Sequence, residues 1–100
     1  MIRHIVMWKL KDFAEGCSKE ENARTIKARL EALKDKIAGI RHLEVGINSI
    51  SSEMSYDAVL ITEFADIQAL EAYKKHPEHV KVSEFVTKVR ENRAVVDYLL

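Results

Sequence analysis

The segment Tyr73-Lys74-Lys75-His76-Pro77-Glu78-His79 places a phenol and two imidazoles within seven residues. Proline fixes φ at about −65° and suits the first position of a helix. It also pushes the residue before it towards extended geometry. One helix is therefore expected to end near Lys75 and another to begin at Pro77. His79 then lies in the first turn of the second helix, beside its partially positive end. That setting disfavours imidazolium and favours a neutral ring able to accept a proton at neutral pH. Tyr73 stands six residues earlier, across the bend. As an acid–base pair, His79 would take a proton from an acidic carbon or a hydroxyl. Tyr73 would donate a hydrogen bond to a developing enolate oxygen. The alternative is purely structural: His79 closes the helix junction and Tyr73 packs its ring on the core.

The other polar candidates are weaker. His4 lies on an apolar strand, where it is either a core histidine or a residue that orients the pair. His76, directly before the proline, reads as a cap or surface residue. His76 and His79 with Glu78 between them are too few for a tight transition-metal site, which usually needs three or four ligands. No metal is expected. No phosphate-binding glycine loop, Ser-His-Asp spacing, haem signature or flavin signature occurs, so no cofactor is expected. Cys17 is the sole cysteine and sits between Gly16 and Ser18 in a polar loop. It cannot form an internal disulfide and is read as incidental. Trp8 and the Asp97-Tyr98 pair are read as packing residues.

These side chains need a scaffold. Ile2 to Leu10 reads as a strand with His4, Val6, Trp8 and Leu10 on one face and Arg3, Ile5, Met7 and Lys9 on the other. Lys11 to Cys17 reads as a loop. Ser18 and Glu21 match a capping box. Ala23, Ile26, Leu30, Leu33 and Ile37 then form one stripe of a helix, with Gly39 as its stop. The basic residues at 24, 27, 29, 34 and 36 form its solvated face. Ile40 to Ile50 alternates as a half-buried strand, with Gly46 a candidate bulge. Ser49 to Ser55 is a polar connection, and Asp57 to Phe64 is a third strand. Asp66 caps a short helix carrying Ile67, Leu70 and Tyr73. The helix from Pro77 carries Val82, Phe85, Val86 and Val89 and ends near Glu91-Asn92. Ala94 to Leu99 is a fourth strand.

The order is βαββαβ with its second helix broken at His76-Pro77. This predicts a ferredoxin-like α+β fold in one domain over residues 1–100, with helices on one face of a four-stranded antiparallel sheet. Val6, Trp8, Val45, Ile47, Val59, Ile61, Val95 and Leu99 are the residues expected to be buried by the sheet. The open face carries enough apolar side chains to be an association surface. With 47% hydrophobic residues, a domain this small does not easily cover both faces alone, which points to a partner subunit. Sixteen basic and sixteen acidic residues cancel, so no field favours nucleic acid or an anionic membrane. No run approaches the roughly 20 apolar residues of a membrane span. The opening Met1-Ile2-Arg3-His4 lacks the core of a signal peptide, so a cytoplasmic location is expected.

The opening Ile2-Arg3-His4-Ile5-Val6-Met7-Trp8-Lys9-Leu10-Lys11 resembles the first strand of the stress-responsive α/β-barrel (Dabb) domain family. Tyr73-x-x-His76-Pro77-x-His79 and Val95-Val96-Asp97-Tyr98 extend the resemblance over essentially the whole chain. The resemblance implies that two ferredoxin-like subunits pack their open sheets into a homodimeric α/β barrel. Most members of that family have no established reaction. One plant member is a polyketide cyclase that closes its substrate by aldol condensation with a His and a Tyr inside a subunit pocket. Those residues match His79 and Tyr73, and a pocket His on the first strand matches His4. A further pocket His on the third strand is replaced here by Ala58. Two readings follow from the resemblance. The first is a stress-associated homodimer without defined activity, with room for an apolar small molecule. The alternative is a cofactor-independent cyclase, isomerase or lyase acting on an aromatic or polyketide-like compound.

Overall fold

The computed structural model describes residues Met1–Leu100. In chain order the elements are β1 (Ile2–Leu10), β2 (Phe13–Ala14), β3 (Cys17–Ser18), α1 (Lys19–Ala32), a 3₁₀ turn (Leu33–Asp35), β4 (His42–Ile47), β5 (Ala58–Phe64), α2 (Ile67–Lys75), α3 (Pro77–Val89) and β6 (Arg90–Leu99). The main sheet has the order β4-β5-β1-β6, and every neighbouring pair is antiparallel. This is the ferredoxin-like arrangement the alternating patterns predict.

Strand pleating divides the sheet cleanly. Ile2, His4, Val6, Trp8 and Leu10 of β1 face the helices and are buried, as are Ala58, Leu60, Thr62 and Phe64 of β5. Ile5, Met7, Val59 and Ile61 face the other way. Helix α1 covers β4 with Ala23, Ile26 and Leu30, while α2 lies over β1 and β5. The start of α1 is fixed by the expected capping box, in which Ser18 Oγ accepts from the Glu21 N–H and the Glu21 carboxylate accepts from the Ser18 N–H.

The segment expected as a loop between Lys11 and Cys17 contains a small hairpin, β2–β3. Its two turn residues, Glu15 and Gly16, have φ of 50° and 75°. Positive φ at both positions is the type I′ turn that matches strand twist. The buried Asn22 side chain ties this hairpin to α1 by donating to the Ala14 and Cys17 carbonyls.

Three expectations are corrected. Gly46 is not a bulge, since it pairs in register with Val59. The irregularity lies instead between β1 and β6, where the register shifts at Lys9/Leu10. The fourth strand starts at Arg90 rather than Ala94, because β1 is long enough to pair with it from Leu10 onwards. Finally, Ile47, Val95 and Leu99 are 40, 48 and 72% exposed rather than buried. β6 is an edge strand that extends beyond the helix layer, and Ile47 ends the opposite edge strand.

Candidate functional site

The break between α2 and α3 builds the site. His76 is extended, with φ −63° and ψ 133°, and serves as both the C-cap of α2 and the N-cap of α3. Its Nδ1 accepts from the Glu78 N–H at 3.1 Å, confirming the expected cap. Its own N–H donates to the Tyr73 carbonyl. This tight junction folds α3 back so that His79 meets Tyr73, with ring centroids 4.4 Å apart. On its other side Tyr73 contacts Phe64 of β5 at 5.0 Å, and the His4 ring lies 6.5 Å away, edge-on. The three candidate residues, from β1, α2 and α3, therefore form one cluster between the sheet and the helices.

Each imidazole has a defined tautomer. His79 Nδ1 lies 3.0 Å from the Lys74 carbonyl oxygen. A carbonyl only accepts, so Nδ1 carries the proton and Nε2 of the neutral ring keeps a lone pair. His4 Nδ1 likewise faces the Asp97 carboxylate and donates to it. Asp97 was expected merely to pack; it instead orients His4. Antiparallel pairing sets Asp97 directly opposite His4 and on the same face. A lone carboxylate in the apolar run Val95-Val96-Asp97-Tyr98-Leu99 was the available signal. Tyr98 is on the opposite face, where Arg3 donates to its hydroxyl at 2.7 Å and also pairs with Glu63.

Electrostatics keep both rings neutral. Burial depresses the His79 pKa below its ordinary value, against the favourable Lys74 carbonyl, with nearby His4, Arg93 and Lys74 adding repulsion. The direction agrees with the expectation drawn from the helix start, but desolvation is the main cause. Burial also lowers His4, outweighing its Asp97 partner. Burial alone pushes the Tyr73 phenol far up, so it stays protonated.

Tyr73 is 0% exposed, and its hydroxyl is a buried polar atom without a hydrogen-bond partner. Such a group costs about 1–3 kcal/mol. Beside the cluster lies a cavity of about 230 Å³ that His79 helps to line. Trp8 and Leu60 of the sheet, Leu30 of α1, and Val82 and Val86 of α3 form its apolar wall. Ser83 and Thr87 of α3 and Arg90 and Arg93 of β6 complete it. Tyr73 and His4 stand behind His79 and do not reach this cavity wall. Trp8, expected as core, is 6% exposed and serves both purposes.

The sheet's open face carries a second hollow of about 510 Å³, with Met7, Val59 and Gly46 in one cross-strand row. No helix is long and apolar enough to cross a membrane.

Comparison with known proteins places this geometry in context. The pattern of the Stress Responsive A/B Barrel Domain (Dabb) matches residues 2–100. A dimeric protein of unknown function and ferredoxin-like fold from Bacteroides fragilis is 33% identical, with a TM-score of 0.83 over 99% of this chain and 95% of that one. A Dabb family protein with a ferredoxin-like fold from Mesorhizobium loti is 27% identical, with a TM-score of 0.77 over 99% and 95%. A hydroxynitrile lyase from Passiflora edulis shares the fold at 14% identity, with a TM-score of 0.82 over 99% and 92%. No curated protein matches the chain. A match running almost from end to end, with the fold it specifies, makes this chain a member of the Dabb family.

Proposed function

We propose that this protein is a homodimer whose subunits each hold a small amphipathic ligand in the cavity between the sheet and α3, beside the α2–α3 junction. Residues 1–100 act as one domain in this reading. The dimer is supported by the dimeric state of the Bacteroides fragilis relative and by an apolar open face. On that face Val96, Ile5 and Ile61 form one row and Ala94, Met7 and Val59 the next. Burying two such faces against each other makes a barrel.

The observation that carries the ligand reading is the cavity of about 230 Å³ between the sheet and α3 that His79 helps to line. Tyr73, whose buried hydroxyl has no partner, stands behind His79 and would sense an occupant of the cavity through that ring. The first test is an assigned NMR pH titration of the histidines, repeated in Tyr73→Phe and with a panel of small alicyclic and aromatic carbonyl compounds. His79 is expected to titrate below about 6.5, to respond to Tyr73→Phe, and to shift with at least one compound. A His79 resonance that titrates at the reference value and ignores every compound refutes the reading.

The His79 tautomer favours a second reading, cofactor-independent proton transfer of the cyclase, isomerase or lyase type. His79 Nε2 would take a proton from a carbon beside a carbonyl. The electrons would move to the carbonyl oxygen as an enolate, with Tyr73 as its hydrogen-bond donor and His4, held by Asp97, as the orienting residue, roles that require the substrate to open a path past His79 because neither residue lines the cavity. The proton would then return at another atom. An aromatic or polyketide-like compound has the acidic carbon this needs. His79→Ala should abolish any turnover found; an unchanged rate removes His79 from the reaction.

A further inference from the structure

The register shift in β6 does more than bend a strand. Leu10 pairs with Arg90, Lys9 with Asn92 and Trp8 with Arg93, leaving Glu91 as the extra residue. Residues three apart in a regular strand point to opposite faces. The one-residue bulge cancels that alternation. Arg90 and Arg93 therefore both come out on the helix side, the side of Leu10 and Trp8. Both line the 230 Å³ cavity that also holds His79.

Neither guanidinium is neutralised there. Arg90 uses its backbone N–H to cap α3 on the Val86 carbonyl, and Arg93 uses its own on Asn92 Oδ1. Neither side chain has a carboxylate partner, whereas Arg3 on the opposite face is paired with Glu63. The chain has as many acidic as basic residues, yet no Asp or Glu lines this cavity. A small chamber with one apolar wall, lined otherwise by His79, Ser83, Thr87 and two arginines without a carboxylate partner, has the composition of a receptor for an amphipathic anion.

We infer that the ligand of this cavity is a small apolar monocarboxylate, its carboxylate held by Arg90 and Arg93 and its hydrocarbon body set against Trp8, Leu60 and Val86. This deepens the ligand reading given above and rests on it. A guanidinium matches the planar carboxylate with two parallel N–H donors. Apolar walls and a few placed polar groups are the usual composition of small-molecule sites. At about 230 Å³ the chamber is smaller than drug-sized pockets, which restricts the body to about one ring.

Trp8 is the only tryptophan, so its fluorescence reports filling of this cavity. The experiment titrates the protein with cyclohexanecarboxylate, with its neutral isostere cyclohexanecarboxamide, and with inorganic phosphate. The carboxylate is expected to saturate the Trp8 signal at least ten-fold more tightly than the amide. Arg93→Gln and Arg90→Gln should each remove most of that preference and leave the amide unchanged. Arg93 is exposed, so its replacement leaves the fold intact, as circular dichroism would verify. Arg93→Lys should restore only part of the preference. Equal binding of carboxylate and amide overturns the anion clamp while the ligand reading stands. Phosphate competing as tightly as the carboxylate overturns the carboxylate assignment in favour of a general anion site. No response to either cyclohexane compound, with His79 also unmoved, overturns both readings.

Discussion

Tyr73→Phe isolates the one buried polar side-chain atom that has no hydrogen-bond partner. The substitution deletes a hydroxyl that is fully buried and unpaired, and it leaves the ring against Phe64 and His79. An unsatisfied buried hydroxyl costs about 1–3 kcal/mol. The void left by one oxygen is smaller than a methyl group, so its penalty is below about 1 kcal/mol. The ligand-free variant should therefore be more stable than the wild type by about 1 kcal/mol. For a domain of this length, that corresponds to a rise of about 4–8 °C in Tm. The assay is differential scanning calorimetry at pH 7.5, with protein concentration held equal because a dimer's Tm depends on it. Most substitutions in a core destabilise, so a gain is a specific signature. A fall of similar size would show that the hydroxyl has a partner in solution, and the proposed role of Tyr73 as a free hydrogen-bond donor would fail.

Other perturbations separate the remaining claims. His4 and His79 both have folded-state pKa values below the ordinary one. Below about pH 6.5 the unfolded chain therefore binds more protons than the native one, and stability falls as pH drops through that window, by at most about 1.4 kcal/mol per pH unit per histidine. Urea midpoints at pH 7.5, 6.5 and 5.5 should show this slope, reduced in His79→Gln; an identical slope in the variant would exclude His79 as a contributor. Ser18→Ala removes half of the capping box and should cost about 1 kcal/mol, read by chemical denaturation, and no loss would mean that the β2–β3 hairpin alone sets the helix start. Met7→Glu puts a charge at the centre of the open face and should convert the dimer to monomer in size-exclusion chromatography with light scattering, with the monomer still folded. An unaltered dimer would place the interface elsewhere.

Much of this structure was legible because it follows from local rules. Pro77 alone located the α2–α3 junction to the residue, since it both favours a helix start and disfavours helical geometry at His76. The Ser18/Glu21 pair located the start of α1 in the same way. Two-residue alternation separated the faces of β1 correctly at every position. The β2–β3 hairpin escaped notice because its I′ turn uses Glu15, a residue with no particular preference for positive φ, before Gly16. The exposed Val95 and Leu99 were misread because β-branched and apolar composition signals a strand but not how far the covering helices extend.

The site divides along the same line. Tyr73 and His79 are close in sequence, so a motif and a bend suffice to bring them together. His4 and Asp97 are 93 positions apart, and their meeting depends on the register of β6 against β1. A shift of one residue would send Asp97 to the open face and leave His4 without its acceptor. Register is set by the bulge at Glu91, on either side of which β6 pairs with β1, from Arg90 opposite Leu10 at the end of α3 to Leu99 opposite Ile2. The same insertion that aligns Asp97 with His4 turns Arg90 onto the face of Arg93. One extra residue thus sets both the His4–Asp97 contact and the arginine lining of the cavity. Deleting Glu91 should consequently cost more function than its exposed, unpaired side chain suggests, by moving Arg90 or the whole of β6 to the wrong face.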